Sequence, residues 1–163
     1  MKTRIVSAFP ACGKSYIYDN QTKLGLKVSD SDSSQFSWVE TDSGKVRNPD
    51  FPRNYIEHIK SLIGKVDYVF VSSHNEVKLA LEDAQLQYIL VMPNPDLKLE
   101  WLGRCWLRGS SEGFLKLINN NWDDWVNPQK ISFYWNPVGV TYLSSGEYLS
   151  DKLSWFNTFS GCN

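Results

Sequence analysis

An apolar run, Arg4-Ile5-Val6-Ser7-Ala8-Phe9, breaks at Pro10 and reaches Gly13-Lys14-Ser15 a few residues later. The run has the composition of a buried strand, and Lys14-Ser15-Tyr16-Ile17-Tyr18 reads as a helix start. Between them, Ala8-Phe9-Pro10-Ala11-Cys12-Gly13-Lys14-Ser15 spells A-x-x-x-x-G-K-S, which differs at one position from the phosphate-cradling pattern G-x-x-x-x-G-K-[ST]. A tight loop in that setting turns backbone N–H groups inward, and the positive end of the following helix attracts phosphate oxygens. Lys14 would reach the outer phosphates, and the Ser15 hydroxyl would take a place on Mg²⁺. Ala8 stands where the pattern has glycine, which works only if that residue keeps negative φ. A strand-to-helix turn that happens to contain G-K-S is the alternative reading.

At 163 residues the chain fits one domain, 1–163, with room for a sizeable core. The net charge of −1 gives no global basic field, which disfavours a nucleic-acid-binding module without excluding a local groove. Cys12, Cys105 and Cys162 form an odd set with no metal-like spacing and read as free thiols. Met1-Lys2-Thr3-Arg4 leads into a run too short for a signal-peptide core, and no stretch is long enough to span a bilayer. The expectation is a cytoplasmic protein that does not engage membranes.

Strands and helices are expected to alternate. Strand one covers about residues 3–9, strand two is Leu26–Ser29 ending at Asp30, strand three is Asp67–Ser72, and strand four is Tyr88–Met92. Asp50 and Pro52 open a helix carrying Tyr55, Ile56, Ile59, Leu62 and Ile63 on one face, with Gly64 ending it. Ser73 and Glu76 have capping-box spacing ahead of a helix that buries Val77, Ala80, Leu81 and Ala84. Two helices follow at about 96–108 and 111–126, then a last strand or hairpin from 131–135 and 138–143, then a short helix near Glu147. Such alternation implies a mostly parallel sheet of five strands with helices on both faces, and ligands at the carboxyl ends of its strands.

Asp30 and Asp32 fall at that edge. One carboxylate could orient or deprotonate an attacking hydroxyl while the other holds Mg²⁺ through water; a solvated Asp/Ser turn is the alternative. Strand three ends in Ser72-Ser73-His74 rather than an acid, so Ser15 and Asp30 are the candidate metal positions. His74 is placed either to contact substrate or to serve as a surface or capping residue. Glu100, Arg104 and Arg108 share one helix face, as an exposed ion-pair stripe or as a clamp on a transferring phosphate. Gly109-Ser110-Ser111 would let that end move as a lid. Arg47 and Arg53 flank Asn48-Pro49-Asp50-Phe51-Pro52 and could grip an acceptor phosphate, or simply solubilise a loop. Trp101, Trp106, Trp122 and Trp125 read as core.

Taken in order, A-F-P-A-C-G-K-S at 8–15, D-S-D-S-S at 30–34, R-N-P-D-F-P-R-N-Y-I at 47–56, V-D-Y-V-F-V-S-S-H at 66–74 and W-L-G-R-C-W-L-R-G at 101–109 resemble a small P-loop kinase. The layout is similar to compact phage-encoded nucleoside monophosphate kinase-like proteins over about residues 1–125. That resemblance implies a three-layer P-loop NTPase fold with a small lid around 96–125, working in a host cytoplasm. It implies ATP and Mg²⁺ as donor and metal, and transfer of the γ-phosphate to a (deoxy)nucleoside monophosphate. ATP would lie on Pro10, Ala11, Cys12, Gly13, Lys14, Ser15 and Tyr16, with Lys14, Asp30, Asp32, Arg104 and Arg108 catalytic. Asp30, Arg47, Arg53 and His74 would face the acceptor. A polynucleotide 5′-hydroxyl kinase and a non-catalytic nucleotide-binding protein are the alternatives.

Overall fold

The computed structural model describes Met1–Cys162. Strand β1 (Arg4–Ala8) lies at the centre of a five-stranded sheet, with β5 (Tyr68–Ser72) on one side and β6 (Tyr88–Pro93) on the other. Strand β2 (Val28–Ser31) flanks β5, and β7 (Gly139–Leu143) flanks β6. Every pairing is parallel. Successive residues of a strand point to opposite faces. Nearly every residue of β1, β5 and β6 is buried, so both faces of the sheet centre are covered. This is the physical reason those segments read as unbroken apolar runs rather than alternating ones.

The connections are helical. They are α1 (Lys14–Asp19), α2 (Ser34–Ser37), α3 (Arg53–Leu62), α4 (Asn75–Asp83), α5 (Lys98–Leu107), α6 (Glu112–Val126), α7 (Pro128–Tyr134) and α8 (Leu153–Phe156). Helix α3 buries Tyr55, Ile56 and Ile59, following the expected spacing. One core runs through the sheet and the helices, with Trp101, Trp122, Tyr68 and Phe156 fully buried. Among the described residues no helix is long and apolar enough to cross a membrane.

Four local expectations are corrected. Residues 131–135 are not a strand: Asn127 accepts the Gln129 and Lys130 N–H groups, and Pro128 occupies the first turn of α7. Ser73 and Glu76 form no capping box, because His74 is the N-cap of α4 and the Glu76 carboxylate is drawn to Arg47. The segment after strand two, where Gly44, Pro49 and Pro52 suggest a loop, instead forms at 38–47 an antiparallel hairpin, β3 (Trp38–Thr41) and β4 (Gly44–Arg47), with Trp38 opposite Arg47. Trp106 is 67% exposed instead of core.

Candidate functional site

Parallel pairing carries the ends of β1, β2 and β5 to one edge of the sheet. Ala8 pairs with Ser72 and Val91, and Asp30 pairs with Phe70. The 8–15 loop, the 30–34 segment and the start of α4 therefore meet where open α/β sheets bind ligands.

Ala8 is fully buried and is not among the residues with positive φ, so its methyl group packs into the sheet and no glycine is needed there. The left-handed positions fall later, at Ala11 (φ 60) and Gly13 (φ 99). At Gly13 a side chain would also meet Tyr148, since a Cβ would stand 3.2 Å from Cδ1 of that ring. The loop carbonyls are tied from outside: Trp101 Nε1 donates to Pro10 O at 3.0 Å, and Leu149 N–H donates to Cys12 O at 2.9 Å. The N–H groups of Ala11, Cys12, Gly13, Lys14 and Ser15 meet no acceptor among the described residues. With carbonyls held outward and N–H groups unspent, the loop suits an anion.

Lys14 Nζ donates to Ala8 O at 3.2 Å, and Ser15 Oγ donates to Asp30 Oδ2 at 3.0 Å. Burial holds the Lys14 ammonium below its ordinary pKa; Cys12 and Asp30 pull the other way, and Arg108 adds to the lowering. Burial pushes the Cys12 thiol up to about 12, which leaves it an inert packing group at neutral pH.

These groups open into a cleft of about 550 Å³. Its walls include Lys14, Ser15, Asp30, Asp32, Arg47, His74 and Arg108, so seven residues singled out for chemistry share one space. His74 is held below its usual pKa by burial first and by Lys14 second, so it is neutral at pH 7 and offers hydrogen bonds rather than charge. Asp32 Oδ1 accepts the Ser34 N–H at 2.9 Å, which spends part of that carboxylate on the turn. Strand β2 is fixed beneath the pair of acids by Tyr55, whose hydroxyl donates to Ser31 O, and by the Ser33–Ser72 hydroxyl contact at 2.9 Å.

Three arginines sit differently. Arg47 is paired with Glu76 and lies over Phe51 (4.8 Å) and Trp38 (5.6 Å). Arg53 pairs with Asp50 at 3.0 Å in the open and does not line the cleft. Arg104 does not line it either. Its guanidinium lies between Trp101 (3.9 Å) and Tyr148 (4.1 Å), pairs with Glu100 at 2.8 Å and donates to Glu147 O at 2.9 Å. Through Tyr148 it braces Gly13, which is a positioning contact. Arg104→Ala is expected to lower unfolding free energy by about 1–2 kcal/mol, chiefly through loss of its two ring contacts, because the Glu100 partner is partly solvated. A shift of the denaturant midpoint at unchanged slope would show it.

Tyr16 is 55% exposed and outside the cleft walls. Trp38, Phe51, Ser33, Ser37 and Phe114 were not singled out from sequence, yet they line the cleft. The hairpin that delivers Trp38 did carry a signal, since Thr41-Asp42-Ser43-Gly44 is turn chemistry between two short alternating runs. Among the described residues no cluster of three or more His, Cys, Asp or Glu side chains forms. No protein-family model matches the chain, and no curated protein matches it.

Proposed function

We propose that the chain is a P-loop phosphotransferase that moves the γ-phosphate of ATP to a nucleoside monophosphate or its deoxy form. One observation carries this reading: the 8–15 loop, with its unspent N–H groups and Lys14, opens into the same cleft as Asp30, Arg47 and Arg108. A donor cradle and an acceptor pocket with cations on both sides is what phosphoryl transfer needs, because catalysis there is mostly positioning and charge neutralisation. The strand order, with β1 between β5 and β6, is compatible with the P-loop arrangement.

In this mechanism Lys14 leaves Ala8 O and binds the outer phosphates, while the loop N–H groups hold the β-phosphate. Ser15 and Asp30, one hydroxyl and one carboxylate in contact, fit Mg²⁺, which takes few protein ligands and keeps water and phosphate oxygens. Bound there, Mg²⁺ would neutralise charge on the β- and γ-phosphates. An acceptor oxygen bonds to the γ-phosphorus as the bond from that phosphorus to the bridging oxygen breaks, and ADP carries away the electron pair. Arg108 faces the cleft to offset the spread charge. A monophosphate oxygen is already anionic and needs no base.

A second reading is favoured by the acceptor side itself. Asp30 and Asp32 stand among Ser33, Ser34 and Ser37, and two carboxylates repel a phosphate dianion but suit a hydroxyl. In a polynucleotide 5′-hydroxyl kinase, Asp30 would take the proton of that hydroxyl. Mass analysis of products from ATP with a panel of nucleoside monophosphates and a 5′-hydroxyl oligonucleotide separates the two. A nucleoside diphosphate product is expected; phosphate found only on the oligonucleotide supports the second reading. Tight ATP binding with no product from any acceptor would leave a non-catalytic binder.

A further inference from the structure

One cavity adjoins the cleft, and a second adjoins that cavity. The first, about 260 Å³, is walled by Phe9, Met92, Phe114, Leu117 and Trp125, and shares Pro10, His74 and Phe114 with the cleft. The second, about 400 Å³, has Trp125, Tyr134 and Trp135 with Asn121, Asp124 and Lys130. Asn75, Lys78 and Trp125 belong to both cavities, so Lys78 stands at their common wall.

Lys78 is 2% exposed. Its ammonium lies 4.3 Å from the centroid of Trp135, and among the described residues no carboxylate comes within ion-pair distance of it. Glu82, on the same helix, pulls the Lys78 pKa up from a distance but makes no ion pair with it; its Oε1 accepts the Tyr88 hydroxyl at 2.6 Å and the Asn136 N–H at 2.8 Å. Asp124, across the second cavity, is paired with Lys130. Burial lowers the Lys78 pKa to about 8. A methionine or leucine would complete the same wall without the cost of burying an unpaired cation. An anion entering the cavity would offset that cost, and the aromatic walls would stack a flat ring.

We propose that these two chambers form a binding site for a planar aromatic carboxylate, its ring between Phe114 and Trp125 and its carboxylate on Lys78. One unspent ammonium matches a single negative charge, whereas a phosphate dianion would also face Asp124. The Asn75 amide, in both walls, can supply a second donor. The site is separate from Lys14 and does not depend on the kinase reading.

Calorimetric titration of the full chain with 2-naphthoate and 2-naphthamide tests it, since the two differ in charge and not in ring. The carboxylate should bind at least about tenfold tighter, equivalent to about 1.4 kcal/mol. Lys78→Met should erase the difference, Lys78→Arg should keep most of it, and Lys14→Ala should leave it unchanged. In the unmodified protein, naphthoate should protect Lys78 from an amine-acylating reagent, which needs no variant to fold. Equal binding of the two probes, no binding of either, or unprotected Lys78 at saturation would overturn the proposal.

Discussion

Lys14→Met is expected to cut acceptor-dependent phosphate transfer by roughly 10²–10³-fold or more, the scale for removing one group aimed at developing charge, while raising thermal stability. The first half follows from position. Lys14 is the cation inside the 8–15 loop, and Arg108 reaches the cleft from another element. The second half follows from burial. The folded protein holds the Lys14 pKa below its ordinary value, chiefly by desolvation. The unfolded chain therefore binds that proton more tightly, and wild-type stability rises with pH toward the unfolded value near 10.5. Burying this amine destabilises the folded state at neutral pH, and methionine removes that cost. A gain of about 1 kcal/mol would raise the midpoint by roughly 2–4 °C in a domain of this size. The advantage of the variant should shrink as pH rises toward 10.5. Scanning calorimetry at several pH values, beside a turnover assay, reads both halves. A variant both inactive and less stable would contradict the burial argument.

Gly13→Ala should strain the 8–15 loop. Gly13 sits at φ 99, where an alanine pays roughly 1–2 kcal/mol of backbone strain. The new methyl group would also stand 3.2 Å from Tyr148, a ring already stacked on Arg104. Relief requires the loop to open or Tyr148 to move, and either disorders the unspent N–H groups of the loop. ATP affinity is expected to fall at least about tenfold, the equivalent of 1.4 kcal/mol, with a lower unfolding midpoint. Ala8→Gly is the informative contrast. It restores the usual glycine, but Ala8 keeps negative φ and its methyl is buried, so ATP affinity should not improve. Stability should drop by about 0.5–1 kcal/mol, the cost of glycine in a strand. Tighter ATP binding by Ala8→Gly would show that the loop geometry described here is wrong.

The contrast also shows what was legible in the residues. Ala8 could be read as tolerable only under a backbone condition, and the condition is met because the strand continues through it. The parallel sheet was readable because β5 and β6 are buried on both faces and carry apolar residues at nearly every position. Residues 131–134 were not, because Ile131-Ser132-Phe133-Tyr134 alternates like a strand. Asn127 and Pro128, just outside that window, decide for helix. Long-range pairing defeated two local rules. Glu76 had the spacing of a capping partner, but Arg47, delivered by a hairpin, took it. Arg104 and Arg108 share helical spacing, but Tyr148, distant in sequence, folds over Arg104 and leaves Arg108 to face the cleft. Spacing along one element places side chains on a face; it does not say what arrives from elsewhere to cover that face.

The most direct measurement of the central claim is ADP release from ATP and Mg²⁺, followed with and without nucleoside monophosphates. Release that depends on both an acceptor and Lys14, with ATP still bound when the acceptor is omitted, is the predicted result. ADP release that no acceptor stimulates, or a chain to which ATP does not bind, would contradict it.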